Sequence, residues 1–199
     1  MSIIHRQDLF SVPIWTFDVP TDVIDYDKVE KEIKDIQVAD PKGNVISNYG
    51  GWQSGDLNRK DNEEIDLILE YIEYKAKNIF QQYEIIDSYK KSIDSAWANI
   101  NTQHNYNHAH IHAETVLAGC VYIKTPDNCG DMLIHRPSTA EYYFTSTHLK
   151  PNTHYNYEHI RCKALKGQAF IFPAYLLHSV EPSQSIEERI SIAFNFKGK

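Results

Sequence analysis

Three histidines at alternate positions are the residues of this sequence best suited to metal chemistry. His108, His110 and His112 lie in a short polar stretch that directly precedes an apolar segment at residues 115–124. If the stretch is extended, alternate side chains point to the same face, with Cβ atoms within about 7 Å of one another. Imidazole is a good ligand for iron, zinc, copper and nickel. The spacing therefore predicts a site in which two neighbouring histidines bind one metal ion.

The metal site needs a further ligand, and His178 is the best distant candidate. It ends an apolar, aromatic segment that begins at Phe172. The local pair is less clear, because Glu114 offers a carboxylate two residues after a histidine. Three registers stay open: His108 with His110, His110 with His112, or His112 with Glu114.

A cation and a hydroxyl follow His178 at the spacing of a strand. Arg189 and Ser191 alternate within residues 189–196, so both side chains point to one face. A guanidinium buried inside a β-barrel is costly unless an anion meets it, and a dicarboxylate ligand would bind it in bidentate geometry. The alternative is a surface ion pair with Glu187 or Glu188.

The elements that must position these residues change in character along the chain. Residues 9–17 are apolar and aromatic and predict a strand, with Pro13 favouring a sheet edge. Two helices are expected next, one capped by Thr21 or Asp22 and one by Asp61, with a long loop at residues 40–58 between them. From about residue 92 the pattern predicts short strands: 95–101, 115–124, 132–135, 160–165, 168–172 and 189–196.

This order of elements predicts a mainly β protein with N-terminal helices. Short strands separated by Gly and Pro turns are typical of a β-sandwich or barrel. We expect a single domain over residues 1–199, in which residues 1–90 supply a strand and helices that pack on a β core formed by residues 91–199.

Composition narrows the classes of function. The 199-residue chain has a formal net charge of −7 and no basic run, so neither nucleic acid nor a membrane surface is an expected partner. Its three cysteines form no C-x-x-C pair, which argues against a disulfide framework and favours a reducing compartment. No apolar run approaches the ~20 residues that span a bilayer, and the N-terminus lacks a signal-peptide core. We therefore expect a cytoplasmic protein.

Taken together, the site residues resemble those of the 2-oxoglutarate- and Fe(II)-dependent oxygenases. Their shared pattern is H-x-[D/E/H], a long gap, a second His and then Arg-x-Ser. More narrowly, the chain resembles an oxygenase subfamily of marine bacteria and tailed phages, so a phage-encoded protein would act in the host cytoplasm. The features that carry the resemblance span most of the chain: Gly51-Trp52-Gln53-Ser54, His110-x-His112, residues 117–122, Phe172-Pro173, His178 and Glu188-Arg189-Ile190-Ser191.

The resemblance implies a double-stranded β-helix, or jelly-roll, core that binds Fe(II). It favours the pair His110 and His112, completed by His178, because relatives usually have Pro or another small residue at the place of His108. The chain departs from the commoner triad of two His and one carboxylate, since His112 stands where the carboxylate is usual.

The resemblance also implies 2-oxoglutarate as co-substrate. Arg189 and Ser191 correspond to the residues that bind its distal carboxylate, so Arg189 joins the three histidines as a catalytic candidate. Asn101, which precedes the histidine pair, and Tyr122, on the following strand, are further candidates for holding the co-substrate. Asn99, on the same face as Asn101, belongs to the same group.

The expected activity is hydroxylation of a substrate, with consumption of O₂ and release of succinate and CO₂. Two alternatives remain: a cupin-type metal-dependent dioxygenase or isomerase on the same barrel, and a non-enzymatic jelly-roll module for binding or for a phage particle. Residues 40–58 and 136–159 are expected to shape the substrate pocket. The sequence indicates neither the substrate nor the oligomeric state.

Overall fold

The computed structural model of the protein describes residues 11–137 and 157–197. Within these residues the chain forms two α-helices, one short 3-10 helix and eleven strands. In chain order the elements are β1 (Trp15–Asp18), α1 (Tyr26–Ala39), β2 (Asn48–Tyr49), β3 (Trp52–Gln53), the 3-10 helix (Arg59–Asp61), α2 (Glu63–Gln82), β4 (Ser95–Asn101), β5 (Tyr106–His110), β6 (Leu117–Lys124), β7 (Met132–His135), β8 (His159–Cys162), β9 (Gln168–Pro173), β10 (His178–Val180) and β11 (Arg189–Phe196). Neither α-helix is long and apolar enough to cross a membrane.

The strands pair antiparallel and form two sheets. One has six strands in the order β1-β9-β6-β11-β4-β3, and the other has five in the order β2-β5-β10-β7-β8. β1 is an edge strand that pairs with β9, as the nearby Pro13 predicts. The strands predicted at 95–101, 132–135 and 189–196 coincide with β4, β7 and β11.

Alternation along the two central strands separates the core from a pocket. On one face of the six-stranded sheet, β11 and β4 bury apolar side chains: Ile190, Ile192, Phe194, Phe196, Ala96, Ala98 and Ile100. The residues between them line a pocket on the other face: Arg189, Ser191, Ala193, Asn195, Ser95, Trp97, Asn99 and Asn101. The strand period of two thus gives a single strand both a structural and a chemical face.

The two helices cover the apolar face of this sheet. α2 buries the stripe that its helical spacing predicts: Ile65, Ile68, Leu69, Ile72, Ala76, Ile79 and Phe80. α1 adds Val29 and Ile33, and its N-cap is Asp25 rather than the predicted Thr21 or Asp22. Burial of each large apolar side chain stabilises the fold by about 1.5–3 kcal/mol, so this layer holds the central strands in place.

The start of α2 also differs from the prediction. Asp61 was expected to cap it, but Asp61 lies in the preceding 3-10 helix. The carboxylate of Glu32, in α1, instead accepts hydrogen bonds from the N–H groups of Glu64 and Ile65 at 3.1 and 2.9 Å. A carboxylate at a helix N-terminus satisfies free N–H groups and complements the helix dipole. One helix therefore caps the other.

Residues 40–58, predicted to be a long loop, contain two short strands. β2 pairs with β5 and β3 pairs with β4, so the segment crosses from one sheet to the other. Gly50 and Gly51 make the turn between them with φ of +61° and +66°, a region that favours glycine. Strands of two residues are too short to show alternation, and this is why the sequence pattern did not reveal them.

Candidate active site

Three histidines converge between the two sheets. His110 ends β5, His112 lies two residues further on, and His178 begins β10. Their ring centroids are separated by 5.4, 4.2 and 5.0 Å, and one nitrogen of each ring lies within 4.8 Å of the others. Three imidazoles at this separation could hold one metal ion.

Of the three registers that the sequence leaves open, the structure brings together His110 and His112. His108 is exposed and lies outside the cluster. Glu114 is also exposed, and its carboxylate forms an ion pair with Lys197 at 2.8 Å. The donor set of the described residues is therefore three imidazoles without a carboxylate.

A β-bulge in β5 explains why His108 is excluded. His178 pairs with His110 and Val180 pairs with Asn107, so two residue steps on β10 lie opposite three on β5. The extra residue breaks the alternation of the strand. As a result Asn107 and His110 both line the pocket, whereas His108 does not. The prediction that all three histidines of the run share one face is wrong for His108.

Each imidazole is oriented by a hydrogen bond at Nδ1. In His110 and His178, Nδ1 lies 2.7 and 2.8 Å from the backbone carbonyl oxygen two residues earlier. In His112, Nδ1 lies 2.5 Å from Oδ1 of Asn195, on β11. Because carbonyl oxygens only accept hydrogen bonds, Nδ1 carries the proton in each ring and the Nε2 lone pair is left for a metal.

The environment also keeps the histidines neutral. Burial lowers the pKa of His110 and His112 below the ordinary value. It lowers the pKa of His178 to about 3, with a further contribution from the neighbouring His110. Neutral imidazole is the form that binds a metal, so all three rings are ready to act as ligands near pH 7.

Arg189 is a buried cation with no anionic partner among the described residues. Its side chain is 2% exposed. Nη1 donates to the carbonyl oxygens of Cys129 and Gly130 at 3.0 and 2.9 Å, and Nε has no partner. The alternative of a surface ion pair with Glu187 or Glu188 is therefore wrong. A buried charge without a counter-ion costs free energy, so we expect an anionic ligand to bind beside Arg189.

The turn that holds Arg189 requires a glycine. Gly130 has a φ of +82°, and a Cβ added there would lie 2.3 Å from the backbone oxygen of Glu181. No other residue type fits so close to another backbone. The turn can therefore present its carbonyl oxygens to one side of the guanidinium and leave the other side free.

The other predicted co-substrate residues lie beside Arg189 on the pocket face. Asn101 is its cross-strand partner on β4, and Ser191 pairs with Tyr122 on β6. Oδ1 of Asn101 is buried and has no hydrogen-bond partner in the part of the chain that the structure describes. Burial raises the pKa of Tyr122 well above its ordinary value, so its hydroxyl stays protonated and can donate.

One pocket of about 390 Å³ joins the histidines to Arg189, which is within the usual range for small-molecule sites. Every predicted site residue lines it: His110, His112, His178, Arg189, Ser191, Asn101 and Tyr122. Residues 40–58 contribute Asn44, Ile46, Ser47 and Gln53 among others, so this segment lines the pocket, and its role in binding the substrate stays a prediction. Most of the second expected segment, residues 138–156, lies outside the described residues.

Two pocket residues near the histidines were missed in the sequence. Asn195 hydrogen-bonds His112, and the ring of Trp97 lies 5.7 Å from the same imidazole. A signal for both was present, because Asn195 alternates with Arg189 on β11 and Trp97 alternates with Asn101 on β4. Only the fold shows which of these alternating residues meets a histidine.

Residues 95–195 match the family described as "Putative 2OG-Fe(II) oxygenase". The match covers just over half of the chain and includes the three histidines, Arg189 and Ser191. The chain belongs to this family. It is an Fe(II)- and 2-oxoglutarate-dependent oxygenase, and the cupin-type and non-enzymatic alternatives are set aside. No curated protein matches the chain by sequence.

Solved structures of similar fold include three prolyl hydroxylases. A prolyl-4-hydroxylase of Pseudomonas putida is 12% identical with a TM-score of 0.65, over 96% of this chain and 95% of that one. The viral collagen prolyl hydroxylase of Paramecium bursaria Chlorella virus-1, solved with 2-oxoglutarate, is 15% identical with a TM-score of 0.56, over 92% and 94%. The Trichoplax adhaerens enzyme, solved with a hypoxia-inducible-factor peptide, is 9% identical with a TM-score of 0.59, over 92% and 83%. At these identities the likeness shows the fold, and the predicted double-stranded β-helix is confirmed.

The pocket fits both groups that the family uses. Its neutral imidazoles, with protonated Nδ1 and a lone pair on Nε2, are suitable ligands for Fe(II). Among these Nε2 atoms, that of His110 lies 3.5 Å from Oγ of Ser47. The unpartnered Nε of Arg189 and the hydroxyls of Ser191 and Tyr122 are suitable donors to a carboxylate. The narrower resemblance to oxygenases of marine bacteria and tailed phages stays a prediction.

Proposed function

We propose that this oxygenase hydroxylates a C–H bond of its substrate, with His110, His112 and His178 holding Fe(II) and Arg189 anchoring 2-oxoglutarate. One observation carries the proposal: a buried guanidinium, which has no ion pair with any described residue, opens onto the same pocket as three neutral imidazoles. The overall reaction combines substrate, O₂ and 2-oxoglutarate to give hydroxylated product, succinate and CO₂. One oxygen atom enters the product and the other enters succinate.

The histidines contribute rigid, neutral donors on one side of the metal. Bound Fe(II) would supply the activation of O₂ and the oxidation of the C–H bond. Because none of the three ligands is a carboxylate, the site keeps one more positive charge than a site with two His and one carboxylate. That charge favours an anionic co-substrate, and the hydrogen bonds at Nδ1 keep each ring in its ligand orientation.

Arg189 fixes the orientation of the co-substrate. A bidentate contact between the distal carboxylate and the edge of the guanidinium that carries Nε would satisfy this unpartnered atom. The carbonyl oxygens of Cys129 and Gly130 meanwhile accept hydrogen bonds from Nη1. The hydroxyls of Ser191 and Tyr122 add donors on the same face. Such anchoring at the far end of the molecule lowers the entropic cost of reaching a reactive geometry.

Asn101 is proposed to complete the carboxylate site. Its Oδ1 is unpartnered beside Arg189, where an anion would repel an oxygen. The two ends of an amide are nearly the same shape, so a half-turn of the side chain presents Nδ2 as a donor. The substrate is proposed to contact the residues of the 40–58 segment that line the pocket.

The deciding experiment is calorimetric titration of 2-oxoglutarate into the metal-loaded protein without O₂. Arg189→Ala is expected to weaken binding about 30- to several-thousand-fold, because a buried charge-assisted contact is worth roughly 2–5 kcal/mol. Arg189→Lys is expected to recover only part of the loss, since a point charge cannot replace the planar fork. Succinate release with Fe(II) and O₂ should fall in the same order.

A surface arginine provides the matched control. Arg161 is half exposed and pairs with Glu181 and Asp131, so Arg161→Ala should leave 2-oxoglutarate affinity unchanged. Equal affinities for wild type and Arg189→Ala would contradict the proposal.

A cytoplasmic site of action is also proposed. Cys120, Cys129 and Cys162 are all unpaired, which suits a reducing compartment. Cell fractionation of the native host tests this location. Recovery of the protein from an oxidising compartment would contradict the proposal.

A further inference from the structure

In the described part of the chain, Asn195 is the one residue of the six-stranded sheet whose side chain hydrogen-bonds one of the three clustered histidines. Among the described residues, the Nδ1 atoms of His110 and His178 bond to backbone carbonyl groups close by in their own segments. His112 lies beyond the end of β5 and has no such local partner. Its Nδ1 lies 2.5 Å from Oδ1 of Asn195, 83 residues away in the sequence.

The amide of Asn195 is itself held in place. Its Nδ2 lies 3.3 Å from Oγ of Ser95, on the neighbouring strand β4. β11 pairs Asn195 with Ser95 directly, so both side chains stand on the pocket face of the sheet. With Nδ2 directed to the hydroxyl, Oδ1 is directed to the imidazole of His112. The ring is further enclosed by Trp97, 5.7 Å away.

The orientation of this amide and the tautomer of His112 determine each other. If Oδ1 faces the ring, Nδ1 must carry the proton and Nε2 is free for a metal. If the amide were turned round, Nδ2 would donate to Nδ1, the proton would lie on Nε2, and the ring could not bind a metal through that atom. A backbone carbonyl leaves no such choice, but a side-chain amide does.

We propose that Asn195 is a positioning residue that fixes His112 as the third metal ligand. The inference rests on the proposed metal site and goes beyond it, because it assigns the ligand's tautomer to a residue of the opposite sheet. It also explains how a histidine outside the regular strand can take the place usual for a carboxylate. Partners of metal-binding histidines typically change metal affinity about 10- to 100-fold when removed.

The variants that test this differ in one property each. Asn195→Leu keeps a similar size but removes the acceptor, and we expect it to weaken Co(II) binding about 10- to 100-fold. Asn195→Asp keeps an acceptor at the same place, and we expect it to restore most of the affinity. Asn78→Leu makes the same change on the exposed face of α2, outside the pocket, and should leave Co(II) affinity as in wild type.

Two spectroscopic readouts separate positioning from general destabilisation. The visible spectrum of the bound Co(II) should change in Asn195→Leu and return towards wild type in Asn195→Asp, because it reports the ligand set. Independently of any variant, ¹⁵N chemical shifts of metal-free wild type should show His112 protonated at Nδ1 and not at Nε2. Protonation at Nε2 would overturn the inference even if the leucine variant fails to fold.

The outcomes also distinguish this inference from the proposed metal site. If His112→Ala loses Co(II) while Asn195→Leu binds it as wild type does, the metal site stands and the role of Asn195 is wrong. If neither His112→Ala nor His178→Ala changes the Co(II) affinity, the proposed site is wrong and the inference falls with it.

Discussion

At the level of single residues, the site depends on burying polar groups in a defined state. His178 is 5% exposed and Arg189 is 2% exposed, yet their charges differ. Burial keeps the histidine neutral, whereas a guanidinium cannot lose its proton in a protein. The first is therefore suited to a metal cation and the second to an anion. A pocket with one end suited to a metal ion and the other suited to an anion fits 2-oxoglutarate, because this co-substrate binds the metal at one end and carries a free carboxylate at the other.

The lowered pKa of His178 predicts how the metal-free protein responds to acid. The pKa is about 3 in the folded chain and about 6.5 in an unfolded one. Between these values the unfolded state binds more protons, so stability is complete above about pH 6.5 and is lost as pH falls towards 3. Metal binds the folded chain, in which the pKa values of the three imidazoles are lowered, so metal affinity should stay level from pH 7.5 through 6.5 and fall only at the lower pH where the folded imidazoles become protonated.

The variant His178→Gln isolates this effect from other titrating groups. Urea unfolding of both metal-free proteins between pH 8 and 4 measures the stability difference. The free energy of unfolding of wild type, relative to that of His178→Gln, should be constant down to about pH 6.5 and decrease below it, because only wild type has the titrating imidazole. A difference that does not vary with pH would contradict the lowered pKa.

At the level of elements, contacts between residues distant in sequence decide features that the sequence analysis assigned from neighbouring residues. The bulge of β5 selects His110 and turns His108 away. α2 lacks a side-chain cap from its own segment and uses Glu32 of α1. In both cases a residue distant in sequence decides the feature: which side chains of β5 point into the pocket, and how the start of α2 is capped. The bulge joins β5 to β10 within one sheet, and the Glu32 contact joins the two helices to each other.

The contact of Glu32 with the start of α2 predicts a measurable loss of stability. Glu32→Gln keeps the shape but removes the charge that faces the helix dipole and weakens two hydrogen bonds. We expect a loss of about 0.5–2 kcal/mol in the free energy of unfolding, measured by urea denaturation. Asp35→Asn is the control, because Asp35 is exposed and pairs only at the surface with Lys31. Equal effects of the two changes would show that Glu32 does not cap α2.

At the level of the whole molecule, the helices and both sheets act on one pocket. The helices pack on one face of the central strands, and the opposite face of the same strands carries Arg189, Ser191 and Asn195. The second sheet supplies the histidines at the ends of β5 and β10. Ligands that bind between the sheets therefore contact residues of both sheets, whereas the helices support the site through the central strands that they cover. We expect residues 1–199 to unfold as one unit.

Calorimetry of the loaded protein tests that expectation. In the presence of Co(II), 2-oxoglutarate at about 100 times its dissociation constant should raise the free energy of unfolding by about 2.7 kcal/mol. For a protein of this size that raises Tm by about 5–10 °C. We expect one transition that moves as a whole, without O₂. Two transitions, of which only one moves, would show that the N-terminal helices unfold separately.

The sequence by itself determined those features that depend on local periodicity. Alternation over 189–196 predicts that Arg189 and Ser191 share a face, and the helical stripe from Ile65 to Phe80 predicts the buried side of α2; both follow from the geometry of a single element. The order and spacing of the histidines and of Arg189-x-Ser191 also predicted the family, because these residues are the ones that bind the metal and the co-substrate in its members.

Only the tertiary structure decided which residues meet. The choice of His110 and His112 over His108 depends on a bulge, which arises from pairing between two strands far apart in sequence. The contact between Asn195 and His112 joins β11 of one sheet to the segment that follows β5 of the other. A strand pattern gives the face of each residue but not its neighbour across the pocket, because that neighbour is set by how the sheets pack.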